Sequence, residues 1–136
     1  MDIASALDYL RANHRSVLIT RRANGDPAPS PVVHGVDERG RVVISTREPA
    51  YKVRNLRRDP RATVCAFTDK FFGKWLTVDG QAEIVPLPEA MDGLVALYRQ
   101  IAGEHPDWDD YRQAMERERR VIVAITPERA GPDRQA

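Results

Sequence analysis

Apolar residues follow two periods along the chain. Near the N-terminus Ile3, Ala6, Leu7 and Leu10 recur at spacings of three and four, which predicts an amphipathic helix over 2–13 with Asp2 available as its cap. The runs at 16–22, 29–36, 41–47, 61–68, 74–86 and 120–126 are instead rich in β-branched residues and predict six short strands. Three further helical stretches interrupt them. One starts near Pro49; one covers 89–102 with Met91, Leu94, Val95, Tyr98 and Ile101 as its buried stripe; one covers 108–119 with Trp108, Tyr111, Ala114 and Met115 on one face. Gly103 ends the second of these.

Ala23-Asn24-Gly25-Asp26-Pro27 and Asp37-Glu38-Arg39-Gly40 are tight-turn signals, so hairpins join the first three strands. The second strand carries Pro29 and Pro31. A proline gives no N–H to a ladder, so this strand is an edge or is open along part of its length, and an open edge can receive a flat ligand. Asp79-Gly80 inside the long fifth strand predicts a bulge of the kind barrels use at corners. Hairpins first and helices later favour an α+β, mainly β, antiparallel barrel of about six strands with helices packed outside. No GxGxxG follows a strand, which argues against a dinucleotide-binding α/β sheet. The chain reads as one domain over 1–136, with about 130–136 as a disordered tail.

Composition narrows the partners. Against 20 Asp and Glu stand 21 Lys and Arg, a net charge of +1, so no global field recommends nucleic acid and any cationic patch must be local. No run reaches the ~20 apolar residues of a membrane span, and the N-terminus lacks the pattern of a signal peptide. Cys65 is alone within an apolar run, which predicts a buried, inert thiol in a reducing compartment and a cytoplasmic protein. His14, His34 and His105 have no metal-ligand spacing, and GxSxG, HExxH and P-loop motifs are absent. Asp107, Asp109 and Asp110 stand at a helix start, where carboxylates complement the dipole, and read as capping rather than as a metal site.

The local patch lies within 42–67, VVISTREPAYKVRNLRRDPRATVCAF. An apolar run ends in Ser45-Thr46, and the helix after it would aim its unpaired N–H groups back at that strand end. Such a junction suits a phosphate, with two hydroxyl donors and Lys52 in the first helical turn. Val53 and Leu56 share the core face, leaving Lys52, Arg54, Arg57 and Arg58 on the others. By pattern alone an ordinary solvated basic face is the commoner meaning of such a charge run.

The element order and the string STREPAYKVRNLRRDPRATV resemble the split β-barrel oxidoreductases related to pyridoxamine 5'-phosphate oxidase. ALYRQIAGEH at 96–105, DWDDYRQAM at 107–115 and RRV at 119–121 resemble, more narrowly, the actinobacterial branch that uses coenzyme F-420, a deazaflavin. The resemblance implies a homodimer with the cofactor in a groove between subunits. It implies that Ser45 is a phosphate-side strand position, next to the hydroxyl donor Thr46, that Lys52 is the principal phosphate-binding cation, and that Asn55 is a polar contact one turn on. It also implies that the ring lies on the backbone of Pro31, Val32 and Val33, and that Trp75 is contributed by the partner subunit. Where relatives carry arginine before the lysine, this chain has Ala50, and Arg47 or Arg54 stands in. The implied activity is hydride transfer from reduced F-420 to a planar unsaturated small molecule, with the cofactor carrying the chemistry and His34 as a possible proton donor. FMN in the same fold, and a non-catalytic F-420 carrier, remain alternatives.

Overall fold

The computed structural model describes residues 1–132. Its elements are α1 (Ile3–Ala12), β1 (Arg15–Arg21), β2 (Pro27–Val36), β3 (Val42–Arg47), α2 (Tyr51–Arg58), β4 (Arg61–Phe67), β5 (Leu76–Val85), α3 (Ala90–Ala102), α4 (Trp108–Arg117) and β6 (Arg120–Gly131). The six strands close an antiparallel barrel in the order β1-β2-β3-β6-β5-β4, with β4 returning to β1. This is the α+β antiparallel barrel expected from the strand and turn pattern, and the split barrel that the resemblance implies.

Strand alternation sorts side chains into two cores. Val42 and Ile44 of β3 and Val123 and Ile125 of β6 point inward, where they meet Leu18, Val64, Leu76 and Val78. Ala6, Leu7 and Leu10 of α1 join the same cluster, as does Leu56 of α2. The alternate residues Val43, Ile122 and Ala124 point outward and are covered by Leu94, Val95 and Leu97 of α3 and by Tyr111 and Met115 of α4. The Tyr111 hydroxyl donates to the Leu94 carbonyl (2.9 Å), fixing one helix on the other. No described helix is long and apolar enough to cross a membrane.

Capping follows the sequence signals. Asp2 accepts from the Ser5 N–H (2.7 Å), and Asp107 accepts from the Asp110 N–H (3.1 Å). His105 Nδ1 accepts from the Asp107 N–H (2.9 Å) and its ring packs on Tyr98, Trp108 and Tyr111. The stripe of α3 differs from expectation at its ends. Leu94 and Val95 are buried, but Met91 and Tyr98 are only half-buried and Ile101 is exposed, because the last turn of the helix runs past the sheet. Cys65 is half-buried rather than fully enclosed, and burial still pushes its thiol pKa up.

The largest difference is β6. It continues past 126 to Gly131, where Ala130 pairs with Val78 and Gly131 with Thr77, so 130 and 131 belong to the sheet and not to a disordered tail. The long β5 supplies the partner. The rest of that expected tail, 133–136, lies outside the described residues. Between the two halves of this pairing the register shifts at Asp79/Gly80, at the bulge that the sequence predicts.

Gly80 is fixed there by contact. A Cβ at this position would stand 2.1 Å from the Thr126 carbonyl oxygen and 2.9 Å from Ile125 Cγ2. Gly80→Ala must therefore separate β5 from β6, and urea denaturation is expected to show a loss of about 1–3 kcal/mol. An unchanged midpoint would mean that the bulge relaxes freely.

Candidate functional site

The barrel is split along one seam. β2 pairs with β1 from Arg15–Val33 through Arg21–Pro27, but with β3 only at His34–Ile44, Gly35–Val43 and Val36–Val42. The His34 N–H donates to the His14 carbonyl (2.9 Å), so even-numbered residues of β2 turn their backbone groups toward β1 and odd-numbered ones toward the β3 side. Positions 27, 29 and 31 are all proline and have no N–H to offer on that side. Val33, half exposed, is the first residue of that parity with one. The open edge inferred from Pro29 and Pro31 is thus present, and it faces the end of β3.

Between these strands lies a groove of about 1050 Å³. It gathers Pro31, Val32, Val33, Ser45, Thr46 and Lys52, six of the residues singled out from the sequence. Its outer wall is made by Leu97, Tyr98 and Ile101 of α3 and by Tyr111 and Met115 of α4. The exposed end of the α3 stripe is therefore the lining of the groove.

One end of the groove is cationic. Ala50 occupies the N-cap of α2 with no side-chain oxygen, so no side chain satisfies the first-turn N–H groups. Lys52 projects from that turn, half-buried, and forms no ion pair or hydrogen bond among the described residues. Burial pushes its ammonium pKa down, and the Arg120 cation pushes it the same way. Arg120 lines the groove too, held by Nη2 (2.8 Å) and Nε (3.1 Å) to Glu118. That bond to Arg120 keeps the Glu118 carboxyl below its ordinary range.

A second pocket of about 780 Å³ continues from Lys52. Arg22, Arg54 and Arg58 line it with Lys52 and Ala50, and no acidic residue does. Arg54 stacks over the Tyr51 ring (5.7 Å to its centroid). Asn55 is buried at this pocket, donating to Thr20 Oγ1 (3.1 Å) and accepting from Arg58 (2.9 Å). Arg57 turns away to an ion pair with Glu48.

Arg47, Trp75 and His34, also singled out in the sequence, line neither the groove nor the second pocket. Arg47 is exposed and pairs with Glu118 at 3.5 Å. Trp75 is 42% exposed just before β5, beside the exposed Phe71 and Phe72. His34 is completely buried. Its Nε2 lies 3.2 Å from the Leu10 carbonyl, which can only accept, so Nε2 carries the proton and Nδ1 accepts from Ser16 Oγ at 2.8 Å. Both ring nitrogens are thereby committed, and no face of His34 reaches the groove. Among the described residues no three His, Cys, Asp or Glu side chains gather as a metal site.

The residues that sequence reasoning missed are His14, Arg120 and the helix wall. His14 lines the groove, and Arg120 becomes a second cation there because β6 pairs with β3, opposite Arg47. Strand pairing between such distant segments leaves no local trace. An apolar slot that ends in two cations and a helix N-terminus suits a planar ligand with an anionic group.

The family model described as pyridoxamine 5'-phosphate oxidase matches residues 4–132. Among solved structures, a conserved hypothetical protein from Mycobacterium tuberculosis is 25% identical, with a TM-score of 0.77 over 96% of this chain and 82% of that one. An F-420 reductase is 20% identical, with a TM-score of 0.68 over 88% and 90%. An FAD-binding protein from Mesorhizobium loti is 17% identical, with a TM-score of 0.65 over 96% and 90%.

The burial of His34 makes stability depend on pH. Desolvation lowers its pKa from 6.5 to about 4 in the folded chain. Between those values the unfolded chain binds a proton that the folded chain does not. Stability is therefore full above about 6.5 and declines by about 3 kcal/mol as pH falls toward 4. Urea unfolding at pH 7.5 and pH 4.5 is expected to show this decline, and His34→Gln to flatten it; equal midpoints for the unaltered protein would contradict it.

Proposed function

The chain belongs to the pyridoxamine 5'-phosphate oxidase family, and from that premise we propose an oxidoreductase that binds coenzyme F-420 in the β2–β3 groove and reduces a planar unsaturated small molecule. The observation that carries this reading is the position of Lys52. It is an unpaired, half-buried cation at an uncapped helix start, shared by the groove and by the pocket beyond it, whose charged residues are all cationic.

A ring laid on Pro31–Val33 would meet the Val33 N–H and the apolar wall of α3 and α4. Ser45, Thr46, Lys52 and Arg120 would hold the phosphate, and the released desolvation of Lys52 would contribute to binding. F-420 bears an oligoglutamate tail beyond its phosphate. Arg22, Arg54 and Arg58 stand where such carboxylates would lie, and they take up the role that Ala50 leaves unfilled. Once bound, the cofactor supplies hydride transfer, so the chain need only stack the ring, exclude water and orient the acceptor. The FMN reading uses the groove alone, which is complete without the second pocket.

The exposed Phe71, Phe72 and Trp75 support a homodimer in which the loop of one subunit covers the groove of the other. A reducing, cytoplasmic setting accords with a lone thiol whose pKa burial raises.

Titration with F-420 and with FMN, read by fluorescence and absorbance, tests the assignment; stoichiometric FMN with no F-420 binding would overturn it. Lys52→Ala is expected to weaken either cofactor by about 1.5–3 kcal/mol while leaving the unfolding midpoint in place. Arg54→Ala is expected to weaken F-420 more than FMN, because only the former extends into the second pocket. Equal losses would show that the second pocket holds no tail.

A further inference from the structure

His34 is sealed, whereas His14, the residue just before β1, lines the groove next to the open part of β2. The His14 ring is oriented by one bond. Its Nδ1 lies 2.9 Å from the His34 carbonyl oxygen, an acceptor only, so Nδ1 carries a proton in every protonation state of the ring. Nε2 is left as the nitrogen that exchanges its proton, and it has no protein partner among the described residues. The His34 carbonyl is itself held in place, because the neighbouring N–H of His34 bonds back to the His14 carbonyl (2.9 Å) and the His34 side chain is locked between Ser16 and Leu10.

We propose that His14 is the proton donor of this site, touching the acceptor's carbonyl oxygen through Nε2–H, and that the acceptor is an enone or quinone. This rests on the oxidoreductase reading above. The chemistry balances. With hydride supplied by a bound reduced cofactor, a C–H bond would form at the β-carbon, the C=C electrons would move to oxygen, and the His14 Nε2–H bond would break to give an enol. Tautomerisation would then give the saturated ketone from an enone or the hydroquinone from a quinone, and the proton released as the cofactor is oxidised would recharge His14. Few other donors share this end of the groove. Arg15 and Asp69 are paired with each other at 3.1 Å, Tyr98 and Tyr111 are phenols of the helix wall, and Lys52 and Arg120 stand at the phosphate end. His34, its ring 6.1 Å away, is neutral at working pH.

The test uses the intact protein loaded with reduced F-420, with cyclohex-2-en-1-one and menadione as acceptors. His14→Gln keeps a polar side chain of similar reach but cannot give up a proton. It is expected to bind F-420 within twofold of the unaltered protein, to slow single-turnover reduction about 10²-fold, and to lose the fall in rate with rising pH. Independently of turnover, the His14 Cε1–H resonance, assigned by its absence in the variant, is expected to shift when either acceptor is added to the oxidised complex. A variant that reduces either acceptor at the normal rate with the normal pH profile would overturn the proposal, as would a resonance that ignores both acceptors. Failure of F-420 to bind would instead overturn the functional reading beneath it. Binding without reduction of either acceptor would overturn the proton-donor role while leaving the cofactor site intact.

Discussion

A strand with proline at every second position can be paired along one edge only. In β2 the prolines at 27, 29 and 31 all fall on the same parity, and the other parity is taken by β1. The β2–β3 edge therefore has no N–H to offer from 27 to 31, and the pairing with β3 stops at His34, leaving the barrel split there. The candidate site is arranged around this gap. The end of β3 brings two hydroxyl residues to it, α2 begins beside it, and α3 and α4 roof it.

The gap is kept open at a cost met elsewhere in the fold. β5 and β6 pair over nine positions, the longest ladder in the barrel, and accommodate the bulge at Gly80 along the way. The α3–α4 layer adds a second core outside the first. This division lets the inner core be continuous while the groove lies between layers, where side chains from both can reach it. Lys52 is left without a carboxylate, and Glu118, which neighbours it through Arg120, is itself engaged by Arg120 and Arg47.

Much of this was legible in the chain, and for local reasons. Turns, caps, the Asp79-Gly80 bulge and the proline-marked edge are each written in a few adjacent residues, and so is the Ser-Thr to Lys52 junction. What was not legible depends on partners far apart in sequence. Arg120 enters the groove only because β6 lies beside β3, and β6 extends to Gly131 only because β5 is long enough to receive it. The histidines show the limit most clearly. His34 lies on β2 and His14 just before β1, and the Leu10 carbonyl of α1 closes over the first while the second lines the groove.

Gln100 adds a mechanical consequence. Where β1 has ended, its side-chain amide accepts from the Val36 N–H (2.8 Å) and donates to the Val36 carbonyl (2.7 Å), replacing the missing strand with a clasp from α3. Gly35 permits the approach, since a Cβ there would stand 2.7 Å from both Gln100 Oε1 and Leu97 Cδ1. The strand that would carry a ring and the helix that walls the groove are thereby fastened into one rigid piece. The width of the slot is set before any ligand arrives, so a ligand of the right thickness loses little entropy in ordering it, and one of the wrong thickness finds no wall that will yield.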